Sequence, residues 1–380
     1  MLVIKNFFIV GICNMEVEEI AVRFKALKQK SKNTFIQNIL SLFNQIESAV
    51  ILEGPYRLVL DSNIIMRLES YRQGNVSEGL LSILLAFKLI KKLPFHFDLV
   101  VRPTVFYEYL RQKNLKSTHE HWVKFKELRN MIEEELGSKL FFDGIETYGG
   151  AEQYLKLIQS DAEKIKKTLI AYQNESWHVN FVQRPGAGVA GFPITGTGYI
   201  LVPPAFAADA LFYPLGLEYF DEVKSKIFFS QYILKYIIEC KSNDSNVIDK
   251  YNREKDFLFT QILKLTSKGN LMGIADLDIY TTCNIQSQFS NQSHSRYAPA
   301  SAALTIDGKL ARALRNSNSH HITSGGMICG PENEDDNNAK MEAFIEEHKR
   351  MDESEERQRI AIEASRDFMK EVILSGFFSD

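Results

Sequence analysis

Arg57-Leu58-Val59-Leu60 is a short apolar run that stops abruptly on the polar trio Asp61-Ser62-Asn63, after which apolar residues resume at helical spacing from Ile64. An aliphatic run without alternation reads as a strand buried on both faces, the condition of a parallel sheet covered by helices. It also sets a carboxylate at the carboxyl end of that strand. In open α/β sheets ligands bind at that edge, because loops leave the strands there and helix N-termini point at it. Taken alone, Asp61 or Ser62 either caps the following helix or contributes to a ligand site.

Three more acids stand at comparable junctions. Phe97-Asp98-Leu99-Val100-Val101 reads as a second strand, ended by Arg102-Pro103-Thr104; Thr104 is the expected N-cap of a helix whose first turns carry Glu108. Asp276 falls near the start of a helix whose inner face is Ile279, Tyr280 and Cys283. Asp278 is two residues on, roughly 200° around that helix, so it is auxiliary and joins Asp276 at one site only if Asp276 is still in the cap. Ala302-Ala303-Leu304-Thr305-Ile306 reads as a buried strand ending at Asp307, the architecture of the Asp61 junction repeated. If Asp61, Glu108, Asp276 and Asp307 converge, their repulsion raises several pKa values unless a cation neutralises them. Clustered hard oxygens select Mg2+ or Mn2+, ions that serve phosphodiester hydrolysis.

At 380 residues, 45% hydrophobic and 24% charged, the chain holds one large or two modest domains, and a net charge of -3 excludes a globally basic nucleic-acid coat. Cations do stand near the acids, at Lys309, Arg312 and Arg315, three residues apart, and at Arg111, Lys113 and Lys116. The latter open a charged helix, 111–136, that also carries His119, His121, Trp122 and Phe125; such a face either tracks a phosphate backbone and stacks on bases or is an ordinary solvated surface. The four cysteines (Cys13, Cys240, Cys283, Cys329) are widely spaced, which argues against a disulfide frame or zinc site and fits a cytoplasmic location. No apolar window is long enough to span a bilayer; Phe7–Cys13 reads as a buried first strand, or lies upstream of a true start at Met15.

Residues 1–54 read as a helical preface, with apolar positions three to four apart from Val17 to Ile46. Core segments at 55–145 and 255–330 enclose an insertion, 146–254. Its Gly- and Pro-rich stretch from Arg184 to Tyr199 reads as a long loop at the rim of the site, followed by mostly helical segments between 206 and 238 and a helix from Lys255 to Leu265. His320–Thr323 is a candidate edge strand. Residues 331–380 are an acidic linker and a charged helical arm suited to packing or to a protein partner.

Leu58-Val59-Leu60-Asp61-Ser62-Asn63-Ile64-Ile65 resembles the opening strand of PIN domains, with the first acid and the Asn that orients it. Glu108 resembles the second acid, Asp276-Leu277-Asp278-Ile279 the third motif, and Thr305-Ile306-Asp307 the fourth, with a hydroxyl two residues before the last acid. The resemblance covers about 55–145 and 255–325. It implies a three-layer α/β/α sandwich with a parallel central sheet, Mg2+ or Mn2+ held by Asp61, Glu108, Asp276 and Asp307, and cleavage of single-stranded RNA, as in bacterial toxin-antitoxin pairs. Two alternatives stand beside it: a PIN scaffold acting as a non-catalytic binding or regulatory subunit, and a DNA or flap-type nuclease.

Overall fold

The computed structural model describes residues 15–112, 118–136, 139–172, 217–220, 264–266, 271–283, 299–312, 314 and 337–377. Two amphipathic helices lead in, α1 (Val17–Lys25) and α2 (Gln29–Ala49), burying the apolar stripe that runs from Val17 through Phe35 and Ile39 to Ile46. There follow β1 (Tyr56–Leu60), α3 (Ser62–Arg72), α4 (Glu78–Lys92), β2 (Phe97–Val101), α5 (Pro103–Gln112), α6 (Thr118–Leu136), β3 (Leu140–Phe142) and α7 (Tyr148–Tyr172). A small antiparallel pair, β4 (Lys264–Leu265) with β5 (Leu271–Met272), precedes α8 (Ile274–Cys283). β6 (Ala300–Leu304) and the long α9 (Asn337–Val372), which runs into a π turn at Ile373–Phe377, complete the described elements.

The chain is an α/β protein whose main sheet has the order β3-β2-β1-β6, parallel throughout, and the helices around it fit a three-layer sandwich. Leu58 pairs with Leu99 on one side and with Ala302 on the other, and in β1 only Arg57 is exposed. Since all four strands run one way, their carboxyl ends share an edge, where Asp61, Arg102, Asp143 and Thr305 emerge. From β1 the chain moves outward to β2 and β3, then returns to set β6 on the opposite flank. The β1/β6 crevice is therefore the reversal of strand order at which ligands sit in such sheets.

α4 is apolar around nearly its whole circumference because it is enclosed by α1, α2, α3 and α9. α2 packs on β1, β6 and α4 and shares one core with them, while α7, at the start of 146–254, packs on α5. No helix among the described residues is long and apolar enough to cross a membrane.

Of the helix read over 111–136, the described parts are the end of α5 at Gln112 and α6 from Thr118. Two expectations change. Trp122 and Phe125 are buried against Phe106 and Phe142, with ring centroids 4.7–5.8 Å apart, so they are core residues and not a platform for bases. Lys264 and Leu265, expected at the end of a helix, pair as a strand with β5. Phe7–Cys13, 184–199, the segments at 206–216 and 221–238, and His320–Thr323 lie outside the described residues.

The second half of α9 closes the fold. Phe368 meets Phe43 at 5.9 Å, and the left-handed backbone of Gly376 (φ 85°) turns Phe377 back onto Phe24 and Phe35, at 5.4 and 5.8 Å. Lys92 pairs with Glu371. α2 has no basic residue in its last turn, and α9 supplies one from outside: Arg357 donates to the carbonyls of Val50 and Ile51, both at 3.1 Å, and Ser354 donates to Ile51 at 2.6 Å. Arg357→Ala is therefore expected to lower stability by about 1–3 kcal/mol, read as a lower urea midpoint, with Arg357→Lys intermediate.

Candidate active site

Asp61 stands at the N-cap position of α3, yet its carboxylate makes no capping hydrogen bond. It faces the β6 junction instead. Thr305 Oγ1 donates to Asp61 Oδ2 at 2.5 Å, and the Asn63 amide donates both to Asp61 Oδ2 and to Thr305 Oγ1, the latter at 3.1 Å. Asn63 Oδ1 accepts from the Ile306 N–H at 3.3 Å, which fixes the amide's orientation; Thr305 Oγ1 also accepts from the Asp307 N–H at 2.9 Å. Asn63, expected to orient the first acid, and Thr305, two residues before the last, thus join Asp61 in one closed network.

Glu108 comes to the same place from α5. The Ser62 hydroxyl lies 3.1 Å from Glu108 Oε2 and 3.2 Å from Asp61 Oδ1, although its one proton can serve only one carboxylate at a time. The other oxygen of Glu108 receives the Ala275 N–H at 3.2 Å, and the Gly273 N–H also eases its charge. Gly273 takes a left-handed conformation (φ 89°) to turn from β5 into α8, so Glu108 serves as an external cap for that helix. Asp276 is half-buried in the first turn of α8, next in sequence to Ala275.

Asp307 is half-buried, and its Oδ1 caps the 308–312 turn, accepting from the N–H groups of Lys309 at 2.7 Å and Leu310 at 3.2 Å. Burial lifts Asp61 to a pKa of about 6; hydrogen bonding from Thr305 counters this, while the charges of Glu108 and Asp307 add to it. Burial likewise raises Glu108.

Sequence reading missed Gln45 of α2, which grips the backbone of Thr305 with both ends of its amide: Nε2 donates to the carbonyl at 3.0 Å and Oε1 accepts the N–H at 2.8 Å. On a helix with many polar residues nothing distinguished it. Gln45→Ala strands both backbone groups, and the expected result is a loss of about 1–3 kcal/mol in chemical denaturation.

Asp278 is not auxiliary to this cluster. It is fully buried in a separate network, where its Oδ2 accepts from Arg102 Nε at 2.8 Å, Thr104 Oγ1 at 2.6 Å and Tyr219 Oη at 3.0 Å. Thr104 is accordingly a partner of Asp278 and not an N-cap; Arg102, whose carbonyl accepts the N–H groups of Val105 and Phe106, holds the cap position. Burial works against the charge of Arg102, but Asp278 outweighs it and holds its pKa well above the usual value. Burial and Asp278 push the Tyr219 phenol up, so it remains a donor. Asp161 of α7 caps the same segment, receiving the N–H groups of Glu218, Tyr219 and Phe220 at 2.9–3.1 Å. Burial raises the Cys283 thiol to about 12, which removes it as a nucleophile.

Of the expected phosphate-binding cations, Lys309 and Arg312 are exposed. Arg111 is half-buried and donates to the Leu271 carbonyl, so its task is to hold β5. Lys113, Lys116 and Arg315 lie outside the described residues.

In chemical kind the donors, two buried carboxylates that compete for a single hydroxyl proton and a third acid whose charge raises Asp61, are hard oxygens of the sort a divalent cation would take. Among the described residues no three His, Cys, Asp or Glu side chains are already gathered to hold a metal ion, so Asp307 would have to swing toward the pair. Comparison of the chain with protein-family models, with curated proteins and with solved structures finds no match.

Proposed function

We propose that the chain is a PIN-like, divalent-metal-dependent endonuclease that hydrolyses phosphodiester bonds in single-stranded RNA. The observation that carries this reading is the Ser62 hydroxyl set between two buried carboxylates, Asp61 at the end of β1 and Glu108 of α5, with Asp307 close enough to raise the pKa of Asp61. Asp61, Glu108 and Asp307 would hold Mg2+ or Mn2+, with Asp276 beside them at the start of α8. Such an ion stabilises charge on the phosphoryl oxygens and makes water acidic enough to attack at neutral pH. Asn63 and Thr305 keep Asp61 Oδ2 aimed, Ser62 keeps Glu108 aligned with Asp61, and the hydrolysis adds water across one P–O bond to leave a phosphate monoester and a hydroxyl. The preference for RNA rests on the resemblance of the four motifs to PIN domains. The same reading expects action in the cytoplasm, where a free thiol such as Cys283 stays reduced.

The test is incubation of the purified chain with labelled single-stranded RNA and DNA in Mn2+, Mg2+ or EDTA. Cleavage of RNA in either metal and none in EDTA is expected. Cleavage of DNA alone would replace the substrate, and cleavage of neither would leave the scaffold role.

A further inference from the structure

Arg67 is a cation beside the acids that the sequence patterns did not single out. It lies on α3 four residues after Asn63, one turn along the same helix face, and it is exposed. At Gly79, buried at the start of α4, two side chains close in: a Cβ there would stand 3.1 Å from Ile306 Cδ1 and 3.5 Å from Arg67 Nε. Ile306 is the residue between Thr305 and Asp307, so the small gap at Gly79 is bordered both by Arg67 and by the loop that carries the last acid. The guanidinium makes one long hydrogen bond, 3.4 Å from Nη1 to Ser77 Oγ, an oxygen that already accepts the Leu80 N–H at 3.3 Å. Among the described residues no carboxylate pairs with it. Five donors in a rigid fork are thus nearly unspent at the edge of an acidic site.

We propose that Arg67 is a phosphate-binding residue that holds a backbone phosphate of single-stranded nucleic acid beside the acid cluster; this deepens the nuclease reading and rests on it. Three carboxylates repel a polyanion, so a strand reaches them only if cations outside the cluster hold the phosphates on either side. Lys309, exposed two residues after Asp307, supplies one, and Arg67 supplies another from α3 with the bidentate geometry that phosphate favours.

The experiment measures binding of a short labelled single-stranded RNA to the full chain in Ca2+ over a series of KCl concentrations, alongside melting with and without Mg2+. Arg67→Ala is expected to weaken binding several-fold at low salt and to flatten the plot of log affinity against log salt by about 0.7, one single-strand phosphate contact. Arg67→Lys should keep the slope with reduced affinity, and both variants should keep the wild-type shift in melting with Mg2+. Unchanged affinity and slope in Arg67→Ala, with wild type binding, overturns the assignment and leaves the nuclease reading standing. Loss of the Mg2+ shift in Arg67→Ala also overturns it, since Arg67 would then be supporting the Asp307 loop. A wild-type chain that neither binds nor cleaves RNA or DNA removes both.

Discussion

Asp278→Ala should lower folding stability by about 3–5 kcal/mol, because it leaves the largely buried charge of Arg102, whose side chain is 16% exposed, with its main partner gone. The same change removes the acceptor for the Thr104 hydroxyl and the Tyr219 phenol, which tie the start of α5 and the 217–220 segment to α8. Arg102 would keep Asp143, at 2.9 Å on its outer side, and a long hydrogen bond to the Tyr219 hydroxyl at 3.4 Å. Urea unfolding of Asp278→Ala, Arg102→Leu and the double variant Arg102→Leu with Asp278→Leu decides the matter. The double variant should recover the part of the loss that comes from the stranded Arg102 charge, while the part due to the Thr104 and Tyr219 hydroxyls, which still lack their acceptor, should remain. If Asp278→Ala unfolds within about 1 kcal/mol of wild type, the two charges are not paired in solution and the network does not organise this edge of the sheet.

Asp61→Asn is expected to abolish cleavage and yet to make the metal-free protein more stable at neutral pH. The folded carboxyl has a pKa of about 6 against an ordinary 3.8, so the native state retains a proton that the unfolded chain releases between those values. Its contribution to stability is full below about 3.8 and is lost as pH rises through about 6, a loss of about 3 kcal/mol by neutral pH. The amide removes the proton and the penalty together. Its oxygen can take the donors from Thr305 and Asn63, while its NH2 meets Ser62, which then donates to Glu108. Without metal, wild type should therefore weaken between pH 4 and pH 7.5 relative to the variant, whose melting should depend less on pH. Mg2+ or Mn2+ should raise the melting temperature of wild type and leave Asp61→Asn nearly unmoved. Parallel pH profiles and equal metal shifts in the two proteins would end the case for a shared cation site.

The features legible in the sequence were those whose cause is local. A buried strand that stops on Asp61-Ser62-Asn63, and another read over Ala302–Ile306 that the structure sets two residues earlier at Ala300–Leu304, announce themselves because side-chain patterning changes abruptly at a strand end. Pairing across the fold leaves no such mark. Asp278 looks like any charged helix residue until Arg102, 176 positions earlier, is set against it. Gln45 meets Thr305 only because α2 lies on β6, and a hydroxyl such as Thr104 looks like a cap when its acceptor belongs to another helix. Trp122 and Phe125 were misread for the same reason: an aromatic among lysines can face bases or a core, and its neighbours in sequence do not say which. β3 is only three residues long, too short to show a period.

The pairing of β1 with β6 also sets a timetable. Asp61 and Thr305 touch although they are 244 residues apart, whereas β1, β2 and β3 follow one another closely. At ribosomal speeds of roughly 5–20 residues per second, β1 waits on the order of ten to fifty seconds for its second neighbour. Until then the emerging chain has Asp61 and Glu108 but lacks the hydroxyl that aims the first acid and the Asp307 that completes the cluster. A nascent or truncated product that ends before residue 305 consequently lacks the proposed site, and the order of synthesis delays its assembly until β6 and the Thr305–Asp307 loop have been made.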